Sequence, residues 1–111
     1  MTHKMRNLVK SEDAIRKQFL GVDFEVLAIG EKSMVAKMLF KAGDFAPFHK
    51  HPNEQSGYVI SGKYNLKFGG KEYLLSAGDS YSIPADVEHS LEIIEAGQVI
   101  DVFMPIRQDY L

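Results

Sequence analysis

The sequence lacks several features, and each absence narrows what the protein can be. It has no cysteine, so disulfide bonds and thiolate chemistry are excluded. It has no apolar run near the roughly 20 residues that span a bilayer, and no apolar stretch follows the basic residues at its start, as it would in a signal peptide. It has no block of basic residues for nucleic acid, and its net charge is −2. We therefore expect a cytoplasmic protein with neither a nucleic-acid nor a membrane partner.

The segments that are present predict an all-β domain. The 111 residues are 45% hydrophobic and 25% charged, which is typical of one folded domain. Short β-rich segments alternate with Gly or Pro at nearly even spacing, and Gly69-Gly70 is the strongest hairpin signal. Residues 13–20 are compatible with a short helical turn or an irregular strand. The pattern predicts eight or nine strands in a sandwich or barrel, with the jelly roll among the possible closures.

A pair of histidines suggests a metal site. His49 and His51 are separated by one residue, and in an extended chain such side chains point to the same face. Neutral imidazole is a common ligand for first-row divalent metals. A third ligand could come from Glu54 or Gln55, and strand periodicity alone leaves both open. A fourth candidate is His89, at the start of a predicted strand.

Two patterns around these histidines resemble the motifs of the cupin superfamily. They read Gly43-x5-His49-x-His51-x3-Gln55-x6-Gly62 and Gly78-x5-Pro84-x-Asp86-x2-His89-x3-Ile93. The sequence departs from the usual motifs at three positions, with Gln55 for Glu, Asp86 for Gly and Ile93 for Asn. Asp tolerates the left-handed backbone conformation better than most residues, so Asp86 is a mild change. Ile93 in place of Asn removes a polar group, which indicates that this side chain has a packing role.

The resemblance implies a fold and a metal. We expect a single cupin β-barrel (a double-stranded β-helix, or jelly roll) over residues 21–111, preceded by a partly irregular segment 1–20. The implied ligands of one divalent transition metal (Ni, Zn, Mn or Fe) are His49, His51, Gln55 and His89, with no organic cofactor. A neutral amide in place of Glu leaves the metal's charge uncompensated, so we expect a stronger Lewis acid.

The last predicted strand contains a carboxylate in an apolar setting. Asp101 lies between Ile100 and Val102, and burying a carboxylate is costly unless it is paired or used. Strand periodicity places Asp101 on the same face as Phe103. A purely structural interpretation pairs Asp101 with Arg107 or with a ligating histidine. For Arg107 alone, a solvated surface position is the default expectation.

The C-terminal segment resembles a narrower group. Its pattern Asp-Val-Phe-x-Pro-x-Arg-x-Asp-Tyr-Leu, after a His-x-His-x3-Gln core, is similar to the small pectin-degradation cupins, which linearise 4,5-unsaturated uronates. The resemblance implies that Asp101, Phe103 and Arg107 are catalytic residues in a pocket for a sugar-acid substrate. In this hypothesis Asp101 transfers a proton, Arg107 binds the substrate carboxylate, and Phe103 stacks on the sugar and excludes water. The resemblance also implies a homodimer.

Two other functions are compatible with the same residues. One is a metal-dependent dioxygenase, although Gln55 in place of Glu leaves less charge to support iron redox chemistry. The other is a non-catalytic cupin that binds a metal or a sugar acid and has no need of Asp101. The ring-opening enzyme is the function that we expect.

Overall fold

The computed structural model describes residues 3–111, and nearly all of the regular secondary structure in that range is β-strand. Two three-residue 3-10 turns, Ser11–Asp13 and Gln108–Tyr110, are the helical elements of that range. No helix among these residues is long and apolar enough to cross a membrane. The strands are β1 (Ile15–Phe19), β2 (Val22–Ile29), β3 (Met34–Phe40), β4 (Phe45–His49), β5 (Glu54–Val59), β6 (Lys63–Phe68), β7 (Lys71–Leu75), β8 (Ser80–Ile83), β9 (His89–Glu95) and β10 (Gly97–Met104).

The strands form two antiparallel sheets. The larger sheet has the order β1-β2-β3-β10-β5-β8, and the smaller has the order β4-β9-β6-β7. The all-β prediction is therefore confirmed, with ten strands among residues 3–111 rather than eight or nine. Each sheet is open at its edges, so the hydrogen-bonded ladders do not form one continuous barrel.

Alternating side chains explain why these strands pack as they do. Along β2 the inward positions Val22, Phe24 and Val26 are buried, while the residues between them are partly exposed. The same alternation in β3 buries every second residue from Met34 to Phe40. Because side chains of a strand point to alternate faces, each strand contributes one face to the core.

The N-terminal segment contains a strand. β1 pairs antiparallel with β2, and the turn between them consists of Leu20 and Gly21, with φ values of 52° and 79°. This is the geometry of a two-residue hairpin, and it places a leucine in a conformation that leucine rarely adopts. The irregular-strand alternative for residues 13–20 is thus the better one. The division into residues 1–20 and 21–111 stays a prediction.

The second hairpin agrees with its prediction. β6 and β7 are joined by Gly69 and Gly70, with φ values of 61° and 75°. Positive φ at both central residues is typical of the tight turn that matches strand twist.

Candidate metal centre and its cavity

Three histidines converge at the end of the smaller sheet. His49 ends β4, His51 follows it in the next loop, and His89 begins β9, directly opposite His49 in the strand register. Their ring centroids lie 4.3 to 5.8 Å apart. One ligand atom from each ring lies within 4.8 Å of the others, so this histidine cluster could hold a metal ion. The remaining histidine, His3, contacts the carbonyl oxygen of Gly30 instead.

The backbone orients all three rings in the same way. Each ring uses Nδ1 to contact the carbonyl oxygen of a residue two positions away, at 2.7 Å to Pro47, 2.9 Å to Asn53 and 2.9 Å to Val87. A ring that donates from Nδ1 keeps the lone pair on Nε2, which is the arrangement found in histidines that ligate metals.

Burial keeps the inner two rings neutral. Burial, helped by the Arg107 charge, lowers the pKa of His51 below its usual value. Burial also lowers the pKa of His89 to about 4, despite an opposing hydrogen bond to Val87. Neutral imidazole is the form that binds metals, so these rings are ready as ligands at neutral pH.

Gln55 adds a fourth donor. Its Oε1 atom lies 3.1 Å from Nε2 of His51. Since Nδ1 of His51 faces a carbonyl oxygen, its Nε2 carries a lone pair. Nε2 of His51 and Oε1 of Gln55 are then both acceptors, and two acceptors this close together are expected where both bind the same cation. The parity of β5 also decides between the two alternatives, because Gln55 shares the inward face with Val59 whereas Glu54 is exposed. The donor set of three imidazoles and an amide oxygen fits the expected divalent metal.

Two contacts hold the His51 loop in place. The Asn53 side chain donates to the carbonyl oxygen of Pro105 at 2.6 Å, and the Asp86 amide donates to the carbonyl oxygen of His51 at 2.9 Å. Asp86 has a φ of 63°, so it adopts the left-handed conformation expected where the motif usually has Gly. The loop is thereby attached both to the end of β10 and to the turn before β9.

A buried carboxylate lies on the opposite wall of the cavity. Asp101 is only 3% exposed and accepts a hydrogen bond of 2.6 Å from the Tyr81 hydroxyl. Burial raises the pKa of Asp101 to about 6, against the opposing effect of that hydrogen bond. Burial, followed by the Asp101 charge, raises the pKa of Tyr81 well above its usual value. The strand-parity prediction for Asp101 and Phe103 is confirmed, since both are buried and Val102 is exposed.

Arg107 is buried against aromatic rings and paired with Asp109. Its guanidinium carbon lies 4.0 Å from the Tyr110 ring centroid and 5.1 Å from that of Phe103. Nε donates to Asp109 at 3.1 Å, and a second nitrogen contacts the other carboxylate oxygen. Burial alone would raise the pKa of Asp109, but the hydrogen bonds and charge of Arg107 outweigh it and lower that pKa. The bonds of Arg107 thus go to Asp109, and Asp101 is bonded to Tyr81.

Phe103 supports the site from below. Its ring is 1% exposed, lies 5.8 Å from the His51 ring and 5.4 Å from the Tyr110 ring, and is not among the residues lining the cavity. In this structure it packs beneath the residues that face the cavity.

The site is a small chamber beneath a wider cleft. The inner cavity has a volume of about 50 Å³, and its polar lining includes His49, Gln55, Tyr81, His89, Asp101 and Arg107. The outer cleft has a volume of about 780 Å³ and reaches His51 and Asp109. Leu20, at the tip of the β1–β2 hairpin, lines both spaces. The sequence-predicted residues other than Phe103 therefore face one connected site.

Sequence reasoning missed Tyr81, Asn53 and Asp109. The alternation Ser80-Tyr81-Ser82-Ile83 places Tyr81 inward with Ile83, and this signal could have identified it. Asn53 lies in a loop and Asp109 in the three-residue 3-10 turn Gln108–Tyr110, and neither segment is long enough for a periodicity that indicates direction.

Comparisons with known proteins agree with this geometry. The pectin degradation protein KdgF of Dickeya dadantii (strain 3937) is 29% identical over 93 residues, which cover 82% of this chain and 84% of that protein. A crystal structure of an RmlC-like cupin from Shewanella frigidimarina NCIMB 400 superposes with a TM-score of 0.87 at 27% identity, covering 96% of each chain. The structure of KdgF from Halomonas sp. superposes with a TM-score of 0.84 at 26% identity, covering 94% of this chain and 97% of that one.

The family match covers more than half of the sequence. Residues 36–103 match the Cupin domain family, and this range contains every residue of the two motifs and the whole histidine cluster. The expected resemblance is confirmed, and the chain belongs to the cupin family.

Proposed function

We propose that this cupin is a metal-dependent enzyme that opens the ring of 4,5-unsaturated uronate monomers to give 5-keto-4-deoxyuronates. The observation that carries the proposal is Asp101, a buried carboxylate with no cation bonded to it among the described residues, in the same cavity as His49 and His89 of the histidine cluster. The similarity to pectin-degradation proteins supports a sugar acid as the substrate.

The reaction is an isomerisation that needs a proton carrier and no oxidant. The Asp101 carboxylate accepts the proton of the anomeric hydroxyl, and the bond from C1 to the ring oxygen breaks. C1 becomes an aldehyde, and the electron pair passes to the enolate formed by the former ring oxygen, C5 and C4. Protonation of C4 from Asp101 completes the 5-keto product, so Asp101 ends in its initial state. A raised pKa suits this exchange near neutral pH.

The metal would be held by His49, His51, Gln55 and His89. When bound, it would supply Lewis-acid stabilisation of negative charge on substrate oxygens. Imidazole and amide donors suit Ni²⁺, Zn²⁺, Mn²⁺ or Fe²⁺, and affinity order favours Ni²⁺ or Zn²⁺ over Mn²⁺.

Arg107 is the residue proposed to bind the substrate carboxylate. Two of its nitrogens already contact Asp109, so a bidentate clamp either uses the remaining N–H edge or displaces Asp109. Asp109 reaches the outer cleft and its side chain is half-exposed, which favours displacement by an incoming carboxylate. Phe103 supports Arg107 and His51 from beneath in this proposal, and stacking of Phe103 on the sugar stays a prediction.

The decisive experiment follows loss of the conjugated double bond in unsaturated galacturonate without oxygen. Metal-loaded protein should open the ring faster than the spontaneous reaction, and chelator-treated protein should not. Asp101→Asn should lower kcat by ~100- to 10,000-fold, the range for loss of a general acid–base. Metal-loaded wild type that gives no acceleration would rule out the proposal. Turnover only with oxygen would indicate the dioxygenase, and binding without turnover would indicate the non-catalytic cupin.

We also propose that the two sheets pack as the halves of a jelly-roll barrel and that the protein forms a homodimer. The outer face of the larger sheet carries the exposed apolar side chains Tyr58, Val102 and Met104, which a second copy could cover. Light scattering of the eluting protein tests the dimer, and a monomer mass at micromolar concentration would contradict it.

A further inference from the structure

We propose that Tyr81 is a positioning residue for the ring-opening reaction and acts through Asp101. Its hydroxyl holds one carboxylate oxygen, so that the other oxygen exchanges the proton with the substrate. This inference rests on the proposed function and adds a residue to it.

The placement follows from three adjacent strands of the larger sheet. Gly57 in β5 is directly opposite Asp101 in β10 on one side and directly opposite Tyr81 in β8 on the other. The Tyr81 side chain therefore passes over Gly57 to reach the Asp101 carboxylate at 2.6 Å.

Gly57 makes room for this contact. A Cβ atom at position 57 would lie 2.2 Å from Cζ of Tyr81 and 2.6 Å from Oδ1 of Asp101. Both distances are too short for any side chain, so the contact between Tyr81 and Asp101 exists only because β5 has a glycine between them. The glycine is needed here for space, since its φ is not positive.

Stability alone does not explain why Tyr81 and Asp101 are buried together, because burying a carboxylate destabilises the fold. Two polar groups are buried beside apolar residues such as Ile83 and Leu91, which line the same cavity. Apolar residues at positions 81 and 101 would avoid the desolvation cost of the carboxylate. A fixed carboxylate opposite the histidine cluster is what proton transfer requires, because a reacting group must be held in its productive geometry.

The hydroxyl also limits which oxygen can react. Tyr81 keeps its own proton throughout, because it donates to Oδ1 and the anomeric proton goes to the other oxygen. The same oxygen then delivers that proton to C4. Tyr81 therefore moves no proton itself, and its effect depends on the presence of the Asp101 carboxylate.

Tyr81→Phe tests this role because it removes only the hydroxyl. In metal-loaded protein we expect kcat to fall by ~10- to 100-fold, the range for a hydrogen bond to a charged group, with KM changed by less than about twofold and metal content unchanged. In the Asp101→Asn background the same substitution should have no further effect on kcat. The control is Tyr73→Phe, on β7 of the smaller sheet, outside both the cavity and the proposed dimer face.

A second variant addresses the spacing. Gly57→Ala should lower kcat at least as much as Tyr81→Phe, because the added Cβ must displace Tyr81 or Asp101. If Gly57→Ala does not fold, Tyr81→Phe alone decides the question.

The outcomes separate this role from the proposed function. An active wild type with a fully active Tyr81→Phe variant would overturn the role of Tyr81 and leave the ring-opening activity standing. Equal losses from Tyr81→Phe with and without Asp101 would show that Tyr81 does not act through Asp101. A metal-loaded wild type with no activity would overturn the proposed function and, with it, this role.

Discussion

The two walls of the cavity hold their side chains in different ways. On one wall, each ring of the histidine cluster contacts a backbone carbonyl only two residues away. On the other wall, Asp101 is held by Tyr81, which is 20 residues distant and two strands away in the sheet. Each ring of the histidine wall is oriented by its own local backbone, but His89 meets His49 only through the β4–β9 pairing of the smaller sheet. The carboxylate wall requires the larger sheet to be assembled in register.

Gln55 connects the two walls. Its Oε1 atom lies 3.1 Å from Nε2 of His51 on one side, and its side chain lines the inner cavity together with Asp101 on the other. A substitution on either wall should therefore affect the other wall through Gln55. The comparison suggests that metal binding and proton transfer can be altered separately, and the following predictions test that separation.

The largest effect should come from removing one ring of the histidine cluster. His89→Ala should lower metal affinity by more than the roughly 100-fold that loss of a ligand's hydrogen-bond partner costs. Competition with a coloured chelator measures the affinity. His3→Ala is the matched control, because His3 lies outside the cluster and should bind metal like wild type. Equal losses in the two variants would show that the cluster is not the metal site.

The next largest effect is expected for Asp101 on the carboxylate wall, in the way that protein stability depends on pH. Burial raises the pKa of Asp101 from 3.8 to about 6. Ionisation of this carboxyl therefore destabilises the folded state at high pH, whereas below about pH 4 the carboxyl is protonated in the folded protein and this destabilisation is absent. Asp101→Asn should therefore stabilise the chelator-treated protein by about 3 kcal/mol at pH 8, and the gain should vanish as pH falls through 6 to 4. Urea unfolding at both pH values measures it. A gain that does not depend on pH would contradict the raised pKa.

Gln55→Glu should affect both walls at once. A carboxylate at this position compensates one unit of metal charge, so we expect metal affinity to rise by roughly 10-fold. It also places a second carboxylate near Asp101, which should raise the pKa of the pair and lower kcat. Titration of the metal and the ring-opening assay measure the two effects. Tighter metal binding with unchanged kcat would mean that the walls are less connected than Gln55 suggests.

The smallest effect is expected at the turn before β9. Asp86 has a φ of 63°, so Asp86→Gly should change the free energy of unfolding by less than about 1 kcal/mol. Asp86→Val should lower the free energy of unfolding by about 1–2 kcal/mol, since a β-branched residue is strained in that conformation. Thermal unfolding of the two variants gives the comparison. Equal stability of both would mean that the turn relaxes freely.

The sequence by itself determined the all-β class, the hairpin at Gly69-Gly70 and the placement of His49 and His51 on one face. These features depend on neighbours in the chain, such as period-two alternation, turn residues and the spacing of His49 and His51. It also placed Asp101 and Phe103 on one inward face. For residues 13–20 the sequence is compatible with both a turn and a strand, because eight residues with weak alternation do not distinguish the two.

The tertiary structure alone decided which groups meet. It paired Asp101 with Tyr81 and Arg107 with Asp109, placed Phe103 beneath the site, and chose Gln55 over Glu54. Each outcome depends on strand order or on the path of an irregular segment. The contact across Gly57 exists because β8, β5 and β10 lie side by side, and that order is set by burial of the whole core. Local sequence patterns therefore identify histidines that could hold a metal, whereas sheet assembly brings them together and sets the contact between Tyr81 and Asp101.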